Sequence, residues 1–173
     1  MATVKQSVIT LGAHEGQSVS VAGGNYRMLI SGKQTGGEFA TIEMSVPPGG
    51  GPGPHAHPDF QESFYVIEGE VEVQSEEGIY TAVEGAYIVI PKGGMVHGFK
   101  NKSNALAKLL CVVVPSGLEE MFLELGVPVA NGEFLPPPVM DEAMKKKVLA
   151  LFEKYGQQMY PPDYFTTSVK KEE

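Results

Sequence analysis

Four residues of the sequence have the types and the spacing of a metal site. His55 and His57 are separated by one residue, so on an extended strand their imidazoles share a face and can reach one ion. Glu62 follows five residues later, and His97 follows a second stretch punctuated by glycines. Neutral imidazoles with a carboxylate suit a first-row divalent metal: Mn, Fe, Co, Ni, Cu or Zn. An H-x-H pair alone is a weak signal, because two surface histidines would also produce it.

The glycines and prolines around these residues strengthen the signal. The first segment, Gly49-x5-His55-x-His57-x4-Glu62-x6-Gly69, resembles the first motif of the cupin superfamily, G-x5-H-x-H-x3,4-E-x6-G. The second cupin motif is matched by Gly85-x5-Pro91 and His97-x3-Asn101. The sequence departs from the family by one extra residue between Pro91 and His97. The resemblance covers residues 49–101 and fills all four ligand positions.

The resemblance implies an all-β fold, the double-stranded β-helix or jelly-roll barrel of cupins, here followed by two C-terminal α-helices. His55, His57, Glu62 and His97 would converge inside it and hold one divalent transition metal per chain. A small barrel has room for one ligand at its mouth, which agrees with this arrangement. Three nitrogen donors and one oxygen donor leave one or two coordination positions for water, substrate or dioxygen, as in a catalytic site.

The elements that must position these residues are short strands. Between residues 1 and 115, apolar or alternating runs are bounded by turn-forming residues, which predicts a β-sandwich or barrel. The predicted strands are Val4–Leu11, Tyr26–Ile30, Phe39–Val46, Phe64–Val73, Ile79–Val83, Tyr87–Ile90 and Leu106–Val114. Glu68-Gly69-Glu70 and Glu76-Glu77-Gly78 are predicted hairpin connections. No helical periodicity is found before Ser116.

The pattern becomes helical in residues 116–173, which we predict to be an extension packed on the barrel within the same domain. Ser116-Gly117-Leu118-Glu119 matches a capping box, and apolar residues at helical spacing predict a helix ending before Gly126. A proline-rich connector leads to a second predicted helix, Asp141–Tyr155. Lys170–Glu173 is predicted to fray.

Composition excludes several classes of partner. The 173-residue chain has a net charge of −8 and one arginine, Arg27, which disfavours nucleic acid and anionic membranes. A single cysteine, Cys111, excludes an intrachain disulfide and indicates a small buried apolar residue. The first 30 residues lack a signal-peptide pattern, and no apolar run approaches the ~18 residues of a membrane span. We therefore expect a cytoplasmic protein without nucleic-acid or membrane partners.

The alternation of side chains along the strands suggests which residues line a substrate pocket. Positions two residues apart on a strand share a face, which links two candidates to Glu62 and one to His97. The first predicted helix needs an apolar partner, and the barrel mouth is the surface we expect it to cover. The pocket candidates are Phe64, Val66, Phe99, Met121 and Phe122. Packing in the barrel core is the alternative role of the strand residues.

Within the cupins, the sequence looks most like the single-domain bacterial quercetinases, in the run His55–Glu70 and the ending Tyr155-Gly156…Pro161-Pro162. That similarity implies a dioxygenase that opens a flavonol or another enol-bearing aromatic, with Glu62 as ligand and catalytic base. Its partners would be an apolar or aromatic small molecule, dioxygen and a second copy of the chain in a homodimer. Oxalate, a small dianion, is disfavoured by the single arginine.

Two other functions stay open at this point. One is a cupin that binds a small molecule without catalysis. The other is a metal-dependent isomerase or hydrolase of a small polar metabolite, which would need a cavity rich in lysine and polar groups. The residues near the ligands are mainly apolar, and fold alone does not decide function.

Overall fold

A computed structural model of the protein describes residues 7–168. Within that range it has twelve strands and four short helices. In chain order they are β1 Ser18–Val21, β2 Gly24–Ile30, α1 Gly32–Thr35, β3 Ala40–Val46, β4 His55–Ala56, β5 Gln61–Glu68, β6 Glu70–Ser75, β7 Gly78–Val83, β8 Tyr87–Ile90, β9 His97–Lys100, β10 Ala107–Val114, α2 Leu118–Leu125, β11 Val127–Val129, α3 Glu142–Lys154, β12 Gln158–Met159 and α4 Tyr164–Ser168.

The strands form two antiparallel sheets that enclose one core. The larger sheet has the order β11-β1-β2-β3-β10-β5-β8, and the smaller sheet has the order β12-β4-β9-β6-β7. Side chains from both sheets meet in a single cluster of buried apolar residues, with Leu109 from the larger sheet and Val71 from the smaller one. This is the jelly-roll barrel with C-terminal helices that the sequence predicts.

Alternation along the central strands explains why they occupy these places. On β10, Ala107, Leu109, Cys111 and Val113 are fully buried, and the residues between them are partly exposed. This period of two places every second side chain on the inner face. Burying an aliphatic side chain of this size contributes about 1.5–3 kcal/mol, so a one-residue slip of the strand would be strongly unfavourable.

One predicted strand is wrong. Residues 7–11 of the predicted strand Val4–Leu11 have no regular structure and are exposed, and its first residues, 4–6, lie outside the described range. The apolar side chains there find no neighbouring strand to pair with. The first strand of the described chain begins instead at Ser18, and its edge is covered by β11.

Gly69 is not the hairpin turn that the sequence predicts. β5 pairs with β10 and β8, whereas β6 pairs with β7 and β9, so the chain passes from one sheet to the other at this residue. Gly69 has φ +74°, and a Cβ there would lie 2.7 Å from the carbonyl oxygen of Leu106. The glycine is therefore required by the sheet crossing. The second predicted hairpin is confirmed, since Ser75 pairs with Gly78 across Glu76-Glu77.

The start of α2 differs from the predicted capping box. Gly117 is the N-cap residue, and the side chain of Ser116 does not cap the helix. The buried carboxylate of Glu119 accepts hydrogen bonds from the backbone N–H of Gly117 at 2.7 Å and of Gly32 at 2.8 Å. Glu119 thus ties α2 to α1, a one-turn helix that the sequence pattern missed. The helix ends before Gly126, as predicted.

The second predicted helix is confirmed as α3, with Asp141 accepting a hydrogen bond from the Met144 N–H at 2.8 Å as its N-cap. The residues around α3 also contain strands that were not predicted. β11 extends the larger sheet beside β1, and β12 extends the smaller sheet beside β4. Residues beyond 115 therefore supply an outer strand to each sheet. No helix within residues 7–168 combines the length and apolar character needed to cross a membrane.

Candidate metal centre and cavity

The four predicted ligands come from three strand regions that face one another. His55 lies on β4 and pairs directly with His97 on the adjacent strand β9. His57 follows β4 at once, and Glu62 lies on β5 in the opposite sheet. All four side chains are buried. The two sheets thus bring together residues up to 42 positions apart at one point in the barrel.

The distances are those of a group that can hold one ion. One ligand atom from each residue lies within 4.8 Å of all the others. Nε2 of His57 is 3.1 Å from Nε2 of His97, and these nitrogens are 3.4 and 3.8 Å from Oε2 of Glu62. Ligands bound at about 2.0–2.2 Å to a common ion lie about 3–3.5 Å apart, so the donors fit a single divalent metal.

Backbone carbonyls fix the orientation of the three rings. Nδ1–H of His55 donates to Gly53, Nδ1–H of His57 to Phe60 and Nδ1–H of His97 to Met95, each at 2.9 Å. A carbonyl oxygen can only accept, so each Nδ1 carries a hydrogen, and Nε2 is the nitrogen left to present a lone pair to an ion. Such a hydrogen bond from the outer nitrogen is the usual support of a metal-bound imidazole.

The inward-facing atoms need a cation. The Nε2 atoms of His57 and His97 are only 3.1 Å apart, and two lone pairs at that distance would repel each other unless a cation lay between them. Burial, with a contribution from His97, lowers the pKa of His55 to about 4, so this ring is neutral at pH 7. Burial alone raises the pKa of Glu62, but the adjoining imidazoles outweigh it and the net direction is downward. The site therefore combines a buried carboxylate with imidazole nitrogens, a donor set that a divalent metal would satisfy.

The spacing of the two motifs has a structural reason in this chain. The N–H of Gly49 donates to the Asn101 carbonyl at 2.7 Å, and the Asn101 N–H donates to the Gly50 carbonyl at 2.9 Å. The start of the first motif and the end of the second are thereby held together. Gly51 has φ +119°, and a Cβ there would lie 2.2 Å from the carbonyl oxygen of Phe99. The extra residue of the second motif is absorbed in the loop before His97.

A cavity of about 380 Å³ opens onto three of the four ligands, His55, His57 and Glu62. Its volume is in the range of small-molecule sites, about 300–1,000 Å³. Four of the five pocket candidates line it: Phe64, Phe99, Met121 and Phe122. Val66 does not. It pairs with Leu109 farther along β5 and is fully buried in the core, so its proposed place in the pocket wall is corrected.

The C-terminal residues form much of the cavity wall. α2 contributes Met121 and Phe122, so this helix lies beside the cavity, as the sequence predicts. The wall also includes residues from the proline-rich connector, α3 and β12: Leu135, Pro136, Pro138, Met140, Met144, Val148, Phe152 and Met159. α3 is fastened to α2 where Lys154 and the Tyr155 hydroxyl both bind Glu124. The residues after position 115 therefore give the cavity a largely apolar cover.

The cavity lining contains few charged side chains. Glu62 is the one acidic residue among the described lining residues, and none of them is a lysine or arginine. Arg27 is directed elsewhere, to the Glu43 carboxylate at 3.2 Å and to the carbonyls of Ala13 and Glu15. His14 is exposed and is not part of the cluster. The cavity consequently has no cationic side chain with which to hold an anionic ligand.

Two polar neighbours of Glu62 were not identified from the sequence. The thiol of Cys111 donates to Oε1 of Glu62 at 3.4 Å, and burial, reinforced by that carboxylate, raises the thiol pKa. Tyr26 lines the cavity and packs edge-on against Phe122, with ring centroids 5.0 Å apart. Burial, with a contribution from Glu62, raises the pKa of the Tyr26 phenol. Cys111 and Glu62 are 49 positions apart, so only the sheet pairing could have indicated this contact.

Comparison with known proteins agrees with this geometry. Residues 42–113 match the family model described as Cupin domain. Quercetin 2,3-dioxygenase from Bacillus subtilis (strain 168) is 27% identical over 111 residues, which are 64% of this chain and 32% of that protein. The chain thus spans about a third of the length of this curated relative.

Solved structures share the fold. A predicted oxalate decarboxylase from Thermotoga maritima superposes with a TM-score of 0.54 at 21% identity, over 63% of this chain and 99% of that chain. An RmlC-like cupin from Shewanella frigidimarina gives a TM-score of 0.54 at 20% identity, over 66% and 96%. The motifs, the barrel and the buried His-His-Glu-His group agree with the match of residues 42–113 to a cupin domain, and part of the chain resembles quercetin 2,3-dioxygenase.

Proposed function

We propose that the protein is a metal-dependent dioxygenase that opens the heterocycle of a flavonol or a similar enol-bearing aromatic. One observation carries the proposal: His55, His57 and Glu62 of the His-His-Glu-His group line a cavity whose described lining is mostly apolar and contains no lysine or arginine. The similarity to quercetin 2,3-dioxygenase supports the same chemistry. We further propose that His55, His57, Glu62 and His97 are the metal ligands.

The cavity favours a neutral aromatic substrate. Phe64, Phe99 and Phe122 offer ring faces and edges, and aromatic contacts add about 0.5–1.5 kcal/mol beyond burial of area. Methionines from five different segments line the same space: Met44, Met121, Met140, Met144 and Met159. Their flexible thioethers adapt to the outline of a ring system and make favourable contacts with it.

Glu62 is the proposed catalytic base. The bound metal supplies a Lewis-acid centre that lowers the pKa of a substrate hydroxyl. Glu62 accepts the hydroxyl proton on a carboxylate oxygen, which leaves an electron-rich enolate, the form that reacts with dioxygen. The apolar cover formed by α2, α3 and the connector excludes water from the enolate. His55, His57 and His97 keep their Nδ1 hydrogens on backbone carbonyls throughout and hold their rings in place.

Charged metabolites fit the cavity poorly. An oxalate dianion or a sugar phosphate would have to leave water and enter a lining without lysine or arginine. Burying an unpaired charge is costly, and a phosphate or carboxylate site would normally supply a bidentate arginine. These considerations disfavour the alternative of an isomerase or hydrolase of small polar metabolites.

The test is oxygen uptake by purified protein loaded separately with Mn, Fe, Co, Ni, Cu or Zn and given a panel of flavonols. We expect uptake stoichiometric with loss of the flavonol absorbance, and none with a flavone that lacks the 3-hydroxyl group. Tight binding of flavonols that are returned unchanged with every metal would instead establish a non-catalytic binding protein. Absence of both binding and turnover would overturn the proposed substrate class.

We also propose a homodimer formed through the outer face of the larger sheet. Tyr65 and Tyr87 are cross-strand partners on β5 and β8, and their side chains are 43% and 63% exposed. Val89 on the same edge strand is also exposed. A second copy would cover these apolar side chains in a closed symmetric pair. A mass equal to that of one chain by light scattering at micromolar concentration would contradict the dimer.

A further inference from the structure

The two carboxylate oxygens of Glu62 face different groups. Oε2 faces the histidines, at 3.4 Å from Nε2 of His57 and 3.8 Å from Nε2 of His97. Oε1 accepts a hydrogen bond from the thiol of Cys111 at 3.4 Å. Cys111 has no exposed surface, so water does not compete for that hydrogen bond. One oxygen of the carboxylate is thus fixed by strand β10, and the other faces the histidine cluster.

The sheet register explains how the thiol reaches Glu62. Glu62 pairs with Val113 across β5 and β10, and Cys111 lies two residues from Val113 on the same inward face. Cys111 itself pairs with Phe64, which lines the cavity. The cysteine is therefore a diagonal neighbour of Glu62, at a distance from which a side chain on one strand can contact a side chain on the next.

We propose that Cys111 is a positioning residue, whose hydrogen bond to Oε1 fixes Glu62 so that Oε2 is the oxygen presented to the metal. A carboxylate that is free to rotate can offer one oxygen or both to an ion, and the thiol holds it to one. Oε1 is then the oxygen that remains available to receive the substrate proton. This last step rests on the proposed function, whereas the orientation toward the metal does not.

Three variants distinguish a hydrogen-bonding role of Cys111 from a role in packing alone. Cys111→Val removes the donor with a small change in volume, Cys111→Ser keeps a donor, and Val113→Ala is the matched control. Val113 is fully buried on the same face of β10 and faces Glu62, but its side chain offers no hydrogen bond. Circular dichroism and thermal unfolding verify that each variant is folded.

The first measurement is the visible absorption spectrum of the Co²⁺-loaded proteins, with Co²⁺ affinity from chelator competition. A net hydrogen bond to a charged group is worth several-fold in an equilibrium, and a thiol is a weak donor. We expect Cys111→Val to change the Co²⁺ spectrum and to weaken Co²⁺ binding about five- to tenfold, a range set by that bond strength. Cys111→Ser and Val113→Ala should keep the wild-type spectrum.

The second measurement is the dependence of rate on substrate. We expect Cys111→Val to lower kcat about tenfold with KM little changed, since the loss is in orientation of the base and not in the pocket wall. Cys111→Ser should recover most of the rate. An unchanged Co²⁺ spectrum in Cys111→Val, or equal changes in Cys111→Val and Val113→Ala, would overturn the proposal. If wild-type protein turns over no flavonol, the spectra and affinities still decide the role of Cys111, and failure to bind Co²⁺ would refute it.

Discussion

Replacing Glu62 with glutamine tests the proposed chemistry most directly. The substitution keeps the length of the side chain and one carbonyl-type oxygen, but removes the negative charge and the ability to hold a proton near neutral pH. To remain a ligand, the amide must turn its oxygen toward His57 and His97, which leaves its NH2 group against the thiol of Cys111. The variant thereby loses the hydrogen bond that Oε1 accepts from the thiol, which should cost about 1–3 kcal/mol of stability.

The expected effect on rate is much larger than the effect on metal binding. Three imidazoles remain in place through their Nδ1–H bonds to backbone carbonyls, so the variant should retain metal with reduced affinity. Loss of a general base typically lowers a rate 10²–10⁴-fold, or roughly 3–5 kcal/mol of barrier. The apolar lining is unchanged, so KM should move little. We therefore expect Glu62→Gln to lose at least about two decades of kcat.

The assay is metal content and kcat measured on the same preparation, with dissociation of a non-reacting flavone as the control for the pocket. Glu62→Asp is the matched variant, because it keeps a carboxylate but retracts it by one methylene. It should retain more activity than Glu62→Gln if proton acceptance matters. Near wild-type kcat in Glu62→Gln with metal bound would show that Glu62 is not the base, even if the fold and the metal site stand.

Three further predictions concern the metal, the pocket and the fold. His57→Ala should abolish stoichiometric metal binding in elemental analysis, whereas His14→Ala, at an exposed site, should leave it unchanged. Tyr26→Phe should weaken the binding of hydroxylated ligands about three- to tenfold by calorimetry, but not the binding of unhydroxylated ones, because Tyr26 lines the cavity and the substitution removes its one polar group. Gly32→Ala should lower stability by about 1–3 kcal/mol in thermal unfolding, since its Cβ would lie 2.0 Å from the Ser116 hydroxyl oxygen. Gly53→Ala, with nothing within 4 Å of its Cβ, is the stability control.

The sequence predicted those parts of the protein that depend on local pattern. Alternation predicted both ends of β10 to within a residue, and the apolar helical stripe predicted both ends of α3 to within a residue. The four predicted ligands followed from the spacing of the motifs. In the folded chain two of them, His55 and His97, are cross-strand partners. These features depend on residues that are close in sequence, because hydrophobic periodicity and turn-forming residues determine local structure.

What the sequence did not reveal depends on pairing between distant segments. Glu68-Gly69-Glu70 has the composition of a hairpin turn, and only the neighbours of β5 and β6 show that the chain crosses between sheets there. β12 has two residues, too few for a period, and exists because it finds β4. Glu119 matched a helix cap, but its buried carboxylate also serves Gly32, 87 positions away. In each case tertiary contacts decide what a local signal leaves ambiguous.

The charges of the site suit the proposed proton transfer. Neutral histidines, the Glu62 anion and a divalent cation together carry one positive charge. A neutral flavonol adds none, and moving its hydroxyl proton to Glu62 redistributes charge without changing the total inside the cavity. No proton has to enter or leave through the apolar cover while the enolate exists. A dianion would instead reverse the net charge of a site that has no lysine or arginine to balance it, and the resulting buried charge would be strongly unfavourable. Under the proposed function, the same lining would keep water from the enolate and would select a substrate that arrives neutral and ionises only beside Glu62.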